Sequence, residues 1–170
     1  MKPTDKEVGL TADRLRYLLH YDPATGVFTW LRPNPNWKQG RTGMRAGCFH
    51  KSSGYCAIKI DSRGYRAHRL AWLYVYGEWP KEELDHVNCD KSDNRIANLR
   101  GASRHQNLAN APAWGKNLKG TDQLPGGRWR AKMCVKYKQI TIGIFDTEIE
   151  AHEAYLHEVK KLYGEFARAG

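Results

Sequence analysis

The sequence is poor in the devices that staple small proteins together. Its 170 residues hold four cysteines, Cys48, Cys56, Cys89 and Cys134, with no Cys-x-x-Cys pair. Structural zinc uses ligands two to four residues apart on tight turns, so no structural zinc is expected. A disulfide framework is out of place in an intracellular chain of this size. Long apolar runs are also missing. No stretch approaches the roughly 20 residues needed to span a bilayer, so no membrane partner is expected. Met1 to Gly9 is polar and lacks the apolar core of a secretory signal. These absences predict a soluble protein of the cytoplasm. There is no internal repeat and no low-complexity tract.

Acidic charge is scarce too. Against 18 Asp and Glu stand 28 Lys and Arg, a net charge of +10. That balance makes a polyanion the first partner to consider. The hydrophobic content of 41% and aromatic content of 11% suffice for compact cores and exclude wholesale disorder. The length allows one large domain or two small ones. The charge is uneven. Residues 1–80 carry net +7 and residues 115–170 net +3, while residues 81–114 hold five basic and five acidic residues. A neutral centre rich in carboxylates points to chemistry or a cation rather than to phosphate binding alone.

Thr11 to His20 reads as a short capped helix with Leu15, Leu18 and Leu19 on one face. Residues 21–26 read as a turn into a strand at Val27–Trp30. Residues 32–53 read as loop. Gly54–Ile60 and Tyr65–Ala67 read as strands joined through Asp61-Ser62-Arg63-Gly64, and His68–Gly77 as a buried helix. From Arg32 to Arg69 there are nine basic residues and one acid. Arg63, Arg66 and Arg69 are candidate contacts to a nucleic-acid backbone. Residues 111–118 read as a linker between units 1–110 and 119–170.

In the C-terminal unit, residues 128–136 alternate. Arg128, Arg130, Lys132, Cys134 and Lys136 point one way; Trp129, Ala131, Met133 and Val135 point the other. Ile140, Ile142 and Ile144 are expected to continue the apolar face on a second strand. Thr147 and Glu150 form a capping box for a helix reaching about Tyr163. Its apolar stripe is Ala151, Ala154, Tyr155, Val159, Leu162 and Tyr163. The strand side is positive and the helix negative. This stretch resembles the Apetala-type domain of plant ethylene-response factors. The resemblance rests on Lys119-Gly120, Gly127-Arg128-Trp129-Arg130-Ala131, Ile142-Gly143-Ile144-Phe145-Asp146-Thr147 and Glu150-Ala151-His152-Glu153-Ala154-Tyr155. It implies a small three-stranded antiparallel sheet packed on one helix and laid in the DNA major groove. It makes Arg128, Arg130, Lys132 and Lys136 candidate DNA contacts.

The middle segment carries the chemistry. Leu84-Asp85-His86-Val87 reads as a short strand with an acid beside an imidazole. Asn98 follows in Asn98-Leu99-Arg100, then Asn107 behind a Ser103/Gln106 capping box. Hydrolysis of a phosphodiester needs a base near neutrality, which imidazole supplies, and a hard cation, which takes few protein oxygens. Asp85 and the Asn107 carbonyl could hold such an ion. Neighbouring strand residues face opposite ways, so Asp85 and His86 project together only where the strand ends or twists.

The set Asp85-His86, Asp93-Asn94-Arg95, Asn98-Leu99-Arg100 and Gln106-Asn107 resembles the HNH nuclease motif in its His-Asn-Asn form. The likeness is to phage homing endonucleases that nick DNA. It implies an α+β fold with a ββα-metal core: two antiparallel strands, a loop and a helix around one divalent ion. By this resemblance His86 is the general base, Asp85 and Asn107 hold the metal, and Asn98 fixes the loop, with Asn94 the alternative. Tyr65-Arg66-Ala67-His68-Arg69-Leu70-Ala71-Trp72 is similar to the family's lead-in. There His68 either touches substrate phosphate or is a hydrogen-bonded structural histidine. Asn107 replaces the third histidine, which shifts metal preference toward hard ions, and the zinc cysteines of another HNH branch are missing. The resemblance implies a Mg²⁺- or Mn²⁺-dependent endonuclease acting on double-stranded DNA. As a monomer it would nick; a dimer could cut both strands. If phage-encoded, it would work in the bacterial host cytoplasm. The rival reading is a non-catalytic DNA-binding regulator on a decayed nuclease fold.

Overall fold

The computed structural model describes residues 7, 9–32, 42–113, 115–135 and 137–168. Helices and small sheets are mixed, as expected for an α+β chain, and they divide into two compact units, Met1–Gly101 and Ala102–Gly170. Among the described residues, no helix is long and apolar enough to cross a membrane.

In the first unit, helix α1 (Ala12–Leu18) starts at Thr11, whose hydroxyl accepts from the Arg14 amide at 3.2 Å. The helix stops before Leu19 and His20, which the sequence placed inside it. Those residues open strand β1 (Leu19–Asp22), which pairs antiparallel with β2 (Val27–Trp30), Leu19 opposite Trp30. The turn is shorter than expected. Asp22 organises it by accepting from the Ala24 amide and the Thr25 hydroxyl, and Gly26 closes it at φ +71°.

A three-stranded sheet follows: β3 (Cys48–His50), β4 (Tyr55–Ile60) and β5 (Arg63–Arg66). Strand β3 lies in the stretch read as loop. The β4–β5 turn is only Asp61-Ser62, both at positive φ, because Ile60 pairs directly with Arg63. Two left-handed residues match the twist of a two-residue hairpin. Helix α2 (Ala67–Tyr76) buries Leu70, Ala71 and Leu73 against Leu15, Leu19, Phe28, Ile58 and Ile60, and left-handed Gly77 caps it. Strand β6 (Glu83–His86) hydrogen-bonds with β7 (Leu99–Ala102) across an intervening loop that ends in a 3₁₀ turn, Ile96–Asn98.

The second unit opens with α3 (Arg104–Asn110), whose Ser103–Gln106 capping box forms as expected. Strands β8 (Thr121–Gln123), β9 (Trp129–Val135) and β10 (Lys138–Phe145) make an antiparallel sheet in the order β10-β9-β8. Helix α4 (Glu148–Tyr163) packs across all three strands, its Thr147–Glu150 box intact. The core is Ala131, Met133, Ala151, Tyr155 and Val159. Gly120 is required because any Cβ there would run into the Tyr155 ring.

Several expectations about this unit need correction. A β-bulge between Thr141 and Gly143 shifts the register, so Gly143 opposes Ala131 and Ile144 opposes Arg130. One extra residue turns the next side chain to the other face, which leaves Ile144 about half exposed beside the basic residues. Leu162 is exposed, because the buried stripe runs Ala151, Tyr155, Val159 and drifts past it. The unit boundary at Gly101/Ala102 lies before the expected linker at 111–118. The Lys119 ammonium and the Arg168 amide both donate to the Ala109 carbonyl, tying the end of α3 to the second unit. The linker read included Trp114, which lies outside the described residues.

Candidate active site

His86 is the last residue of β6, where the strand gives way to loop, and Asp85 precedes it. Both are buried, at 4% and 7% exposure. Burial pulls the His86 pKa below its ordinary value, against Asp85, Asp90, Asp93 and the Asn94 side chain, which favour the charged form. The imidazole is therefore neutral at neutral pH, the state a general base needs. Arg100 on β7 donates through Nε to Asp85 Oδ2 at 2.9 Å, fixing the carboxylate in a nearly buried ion pair.

The loop after His86 is held by Asn98. Its Oδ1 accepts from the Asn88 amide at 3.0 Å, and its Nδ2 donates to Asn88 Oδ1 at 2.9 Å and to the Asp93 carbonyl at 3.0 Å. One buried carboxamide thus closes both ends of the loop, while the Val87 amide donates to the Asn98 carbonyl. Asp93 ties the loop sideways to Asn88 and Arg95, and the Arg95 hydrogen bonds hold its carboxyl at about 2. Asn94 has a separate place. Its Nδ2 donates to the Ser92 carbonyl, and its Oδ1 is sealed from solvent and turned to His86. The β1–β2 hairpin buttresses it: Tyr21 Oη donates to the Asn94 carbonyl at 2.8 Å, and a Cβ at Gly26 would strike the Asn94–Arg95 peptide. Asn98 thus pins the loop, and the Asn94 side chain is among the groups that favour the charged form of His86.

His68 lies against His86, ring centroids 5.0 Å apart, with Tyr55 5.1 Å from His68 and 5.9 Å from His86. It is 6% exposed, and its Nδ1 has no hydrogen-bond partner. Burial, with His86, Arg69 and Arg66 nearby, drives its pKa well below the usual histidine value. The unfolded chain protonates His68 near its ordinary pKa of about 6.5, and the folded chain does not. Stability should therefore fall as pH drops below about 6.5, by up to about 1.4 kcal/mol per pH unit for this one group. Urea denaturation at pH 7 and pH 5 should show a smaller difference for His68→Gln than for the native chain. An equal difference would remove His68 as the cause.

The remaining expected residues fall as follows. Arg63 and Arg66 are exposed on β5. Arg69 is buried and ion-paired with Glu7 at 2.6 Å, which makes it a structural residue rather than a surface contact. Arg130 and Lys132 both pair with Asp122, at 2.6 and 3.2 Å, and Arg128 pairs with Asp146 at 3.1 Å. The face expected to be bare and basic is partly neutralised from within. Lys136 lies outside the described residues. Asn107 is in the first turns of α3, as expected, and belongs to the second unit.

Among the described residues, no three or more His, Cys, Asp or Glu side chains converge into a metal cage. The expected donors are instead one carboxylate and one carboxamide oxygen. Two such hard oxygens suit an ion that keeps most of its water and takes the rest from substrate phosphate.

A buried neutral histidine beside a fixed carboxylate, at a strand end above a pinned loop, falls in one contiguous stretch of chain. Residues 65–109 match the HNH endonuclease family model. The HNH segment opens on β5 and α2 and contains Asp85, His86, Asn94, Asn98 and Asn107. Over 117 residues the chain is 29% identical to the uncharacterized HNH endonuclease L560 of Acanthamoeba polyphaga mimivirus, covering 68% of this chain and 62% of that protein. The chain thus spans less than two thirds of that relative's length. No solved structure matches it.

The spacing of the HNH segment points to Asp85, His86 and Asn98. It does not point to Arg100 as the clamp on Asp85, Asn88 as the partner of Asn98, or Tyr55 beside the histidines. Each of these contacts joins residues ten or more positions apart across strands or loops.

Proposed function

We propose that this protein is a divalent-metal-dependent DNA endonuclease of homing type. The observation that carries the reading is the neutral, buried His86 beside Asp85 inside the HNH segment. His86 takes the proton from the attacking water, which approaches phosphorus opposite the 3′ oxygen. Asn94 orients the imidazole, Asn98 holds the loop that carries it, and Arg100 fixes the Asp85 carboxylate. Asp85 would hold the ion, which when bound stabilises the developing phosphate charge and the leaving oxygen. The products are a 5′-phosphate and a 3′-hydroxyl. With one such centre, a monomer nicks a single strand.

The second unit is the targeting module, its sheet face of Arg128, Arg130 and Lys132 turned to the major groove. Asp122 competes there with phosphate for Arg130 and Lys132. Asp122→Asn should therefore tighten duplex binding about three- to tenfold and steepen its salt dependence. Unchanged binding in a fluorescence titration would place DNA away from this face.

Incubation with supercoiled plasmid tests the function. Open-circle product with Mg²⁺ or Mn²⁺, and none in EDTA, is the expected result. Plasmid that is shifted on a gel but never cut would favour the regulator reading instead.

A further inference from the structure

We propose that Tyr55, Arg66 and Lys91 form a phosphate-binding subsite beside His86 that grips the DNA backbone next to the cleaved bond. This rests on the DNA-cleavage reading and adds to it the residues that seat the substrate. Tyr55 stands at the start of β4, half-buried, with its ring against both His68 and His86. Two cations lie over that ring. The Arg66 guanidinium is 4.1 Å from the ring centroid and the Lys91 ammonium 5.2 Å. The strand register explains the first. Arg66 pairs with Ala57, on the same sheet face as Tyr55 two residues before, so the guanidinium reaches the ring diagonally. The second reaches the ring past Gly54, where the Lys91 stem lies at ordinary van der Waals distance, 3.4 Å, from where a Cβ would stand.

Several basic residues of this chain are neutralised from within. Arg14, Arg69, Arg95, Arg100, Arg128, Arg130 and Lys132 each have a carboxylate partner. Among the described residues, Arg66 and Lys91 have none. Glu83 and Asp85 are near enough to act on Tyr55. Two unneutralised cations against one aromatic ring, next to a buried histidine pair, make a place for an anion. Beside a base that activates water for phosphodiester attack, that anion is a backbone phosphate. His68 lies beside the ring with its Nδ1 unpartnered.

The test is binding of a duplex DNA oligonucleotide, followed by anisotropy across a NaCl series in EDTA so that no strand is cut. Arg66→Ala and Lys91→Ala should each weaken binding about three- to tenfold and reduce the slope of log K against log salt by about one. Arg66→Lys and Lys91→Arg should restore the slope. Tyr55→Phe should bind like the native chain, because the ring face does the holding, while Tyr55→Leu should lose affinity with its circular dichroism unchanged. Unchanged slopes in both alanine variants overturn the subsite, as does native affinity in Tyr55→Leu. If the native chain cuts plasmid yet these variants bind normally, only the subsite fails. If the native chain binds no duplex DNA, the cleavage reading fails with it.

Discussion

His86→Ala should slow plasmid cleavage by about 10²- to 10⁴-fold, the usual contribution of a positioned general base. Binding of duplex DNA should stay within about twofold, because the cations available to phosphate lie on other residues. The reason for so large an effect is the state of the imidazole. It is buried and its pKa is lowered by that burial, so at neutral pH it is ready to accept a proton. The readout is the initial rate of nicking beside an anisotropy titration on the same preparation. Equal loss of rate and binding would mean misfolding, and unimpaired cleavage would remove His86 from the chemistry.

Asn98→Ala should destabilise the protein by about 3 kcal/mol, three hydrogen bonds at about 1 kcal/mol each. The true figure rises if the buried groups left behind find no water. Asn98 is 7% exposed and its carboxamide joins Asn88 to Asp93. Cleavage should fall as well, since the same loop carries Asn94 to the imidazole. Urea unfolding of native and variant chains measures the first effect, and the nicking rate below the unfolding transition measures the second. A loss under about 1 kcal/mol would mean that the loop is held elsewhere, with Asp93 and Arg95 the next candidates.

Much of this was legible before the structure. Capping boxes at Ser103 and Thr147 form as written, because they are satisfied within four residues. The strand of residues 129–135 buries Ala131 and Met133, because period-two alternation is a local property. The failures have a common cause. Leu19 leaves α1 because Trp30 offers it a strand partner. Ile144 changes face because of a bulge opposite β9, and Arg69 is withdrawn from solvent by Glu7, 62 residues earlier. No window of neighbouring residues contains those partners.

The same division runs through the site. By itself, the sequence determined the parts: an acid–histidine pair, asparagines at fixed spacing, and a neutral stretch between basic flanks. Spacing is covalent, and it survives any fold. Only the tertiary structure decided their states. It made His86 neutral by burying it, bound Asp85 to Arg100, and gave Asn94 and Asn98 different hydrogen-bond partners. It also sorted the basic residues, pairing Arg69, Arg130 and Lys132 with carboxylates while leaving Arg66 and Lys91 on the face of Tyr55. Protonation and ion pairing depend on distance and burial in three dimensions, and a count of charges along the chain carries neither.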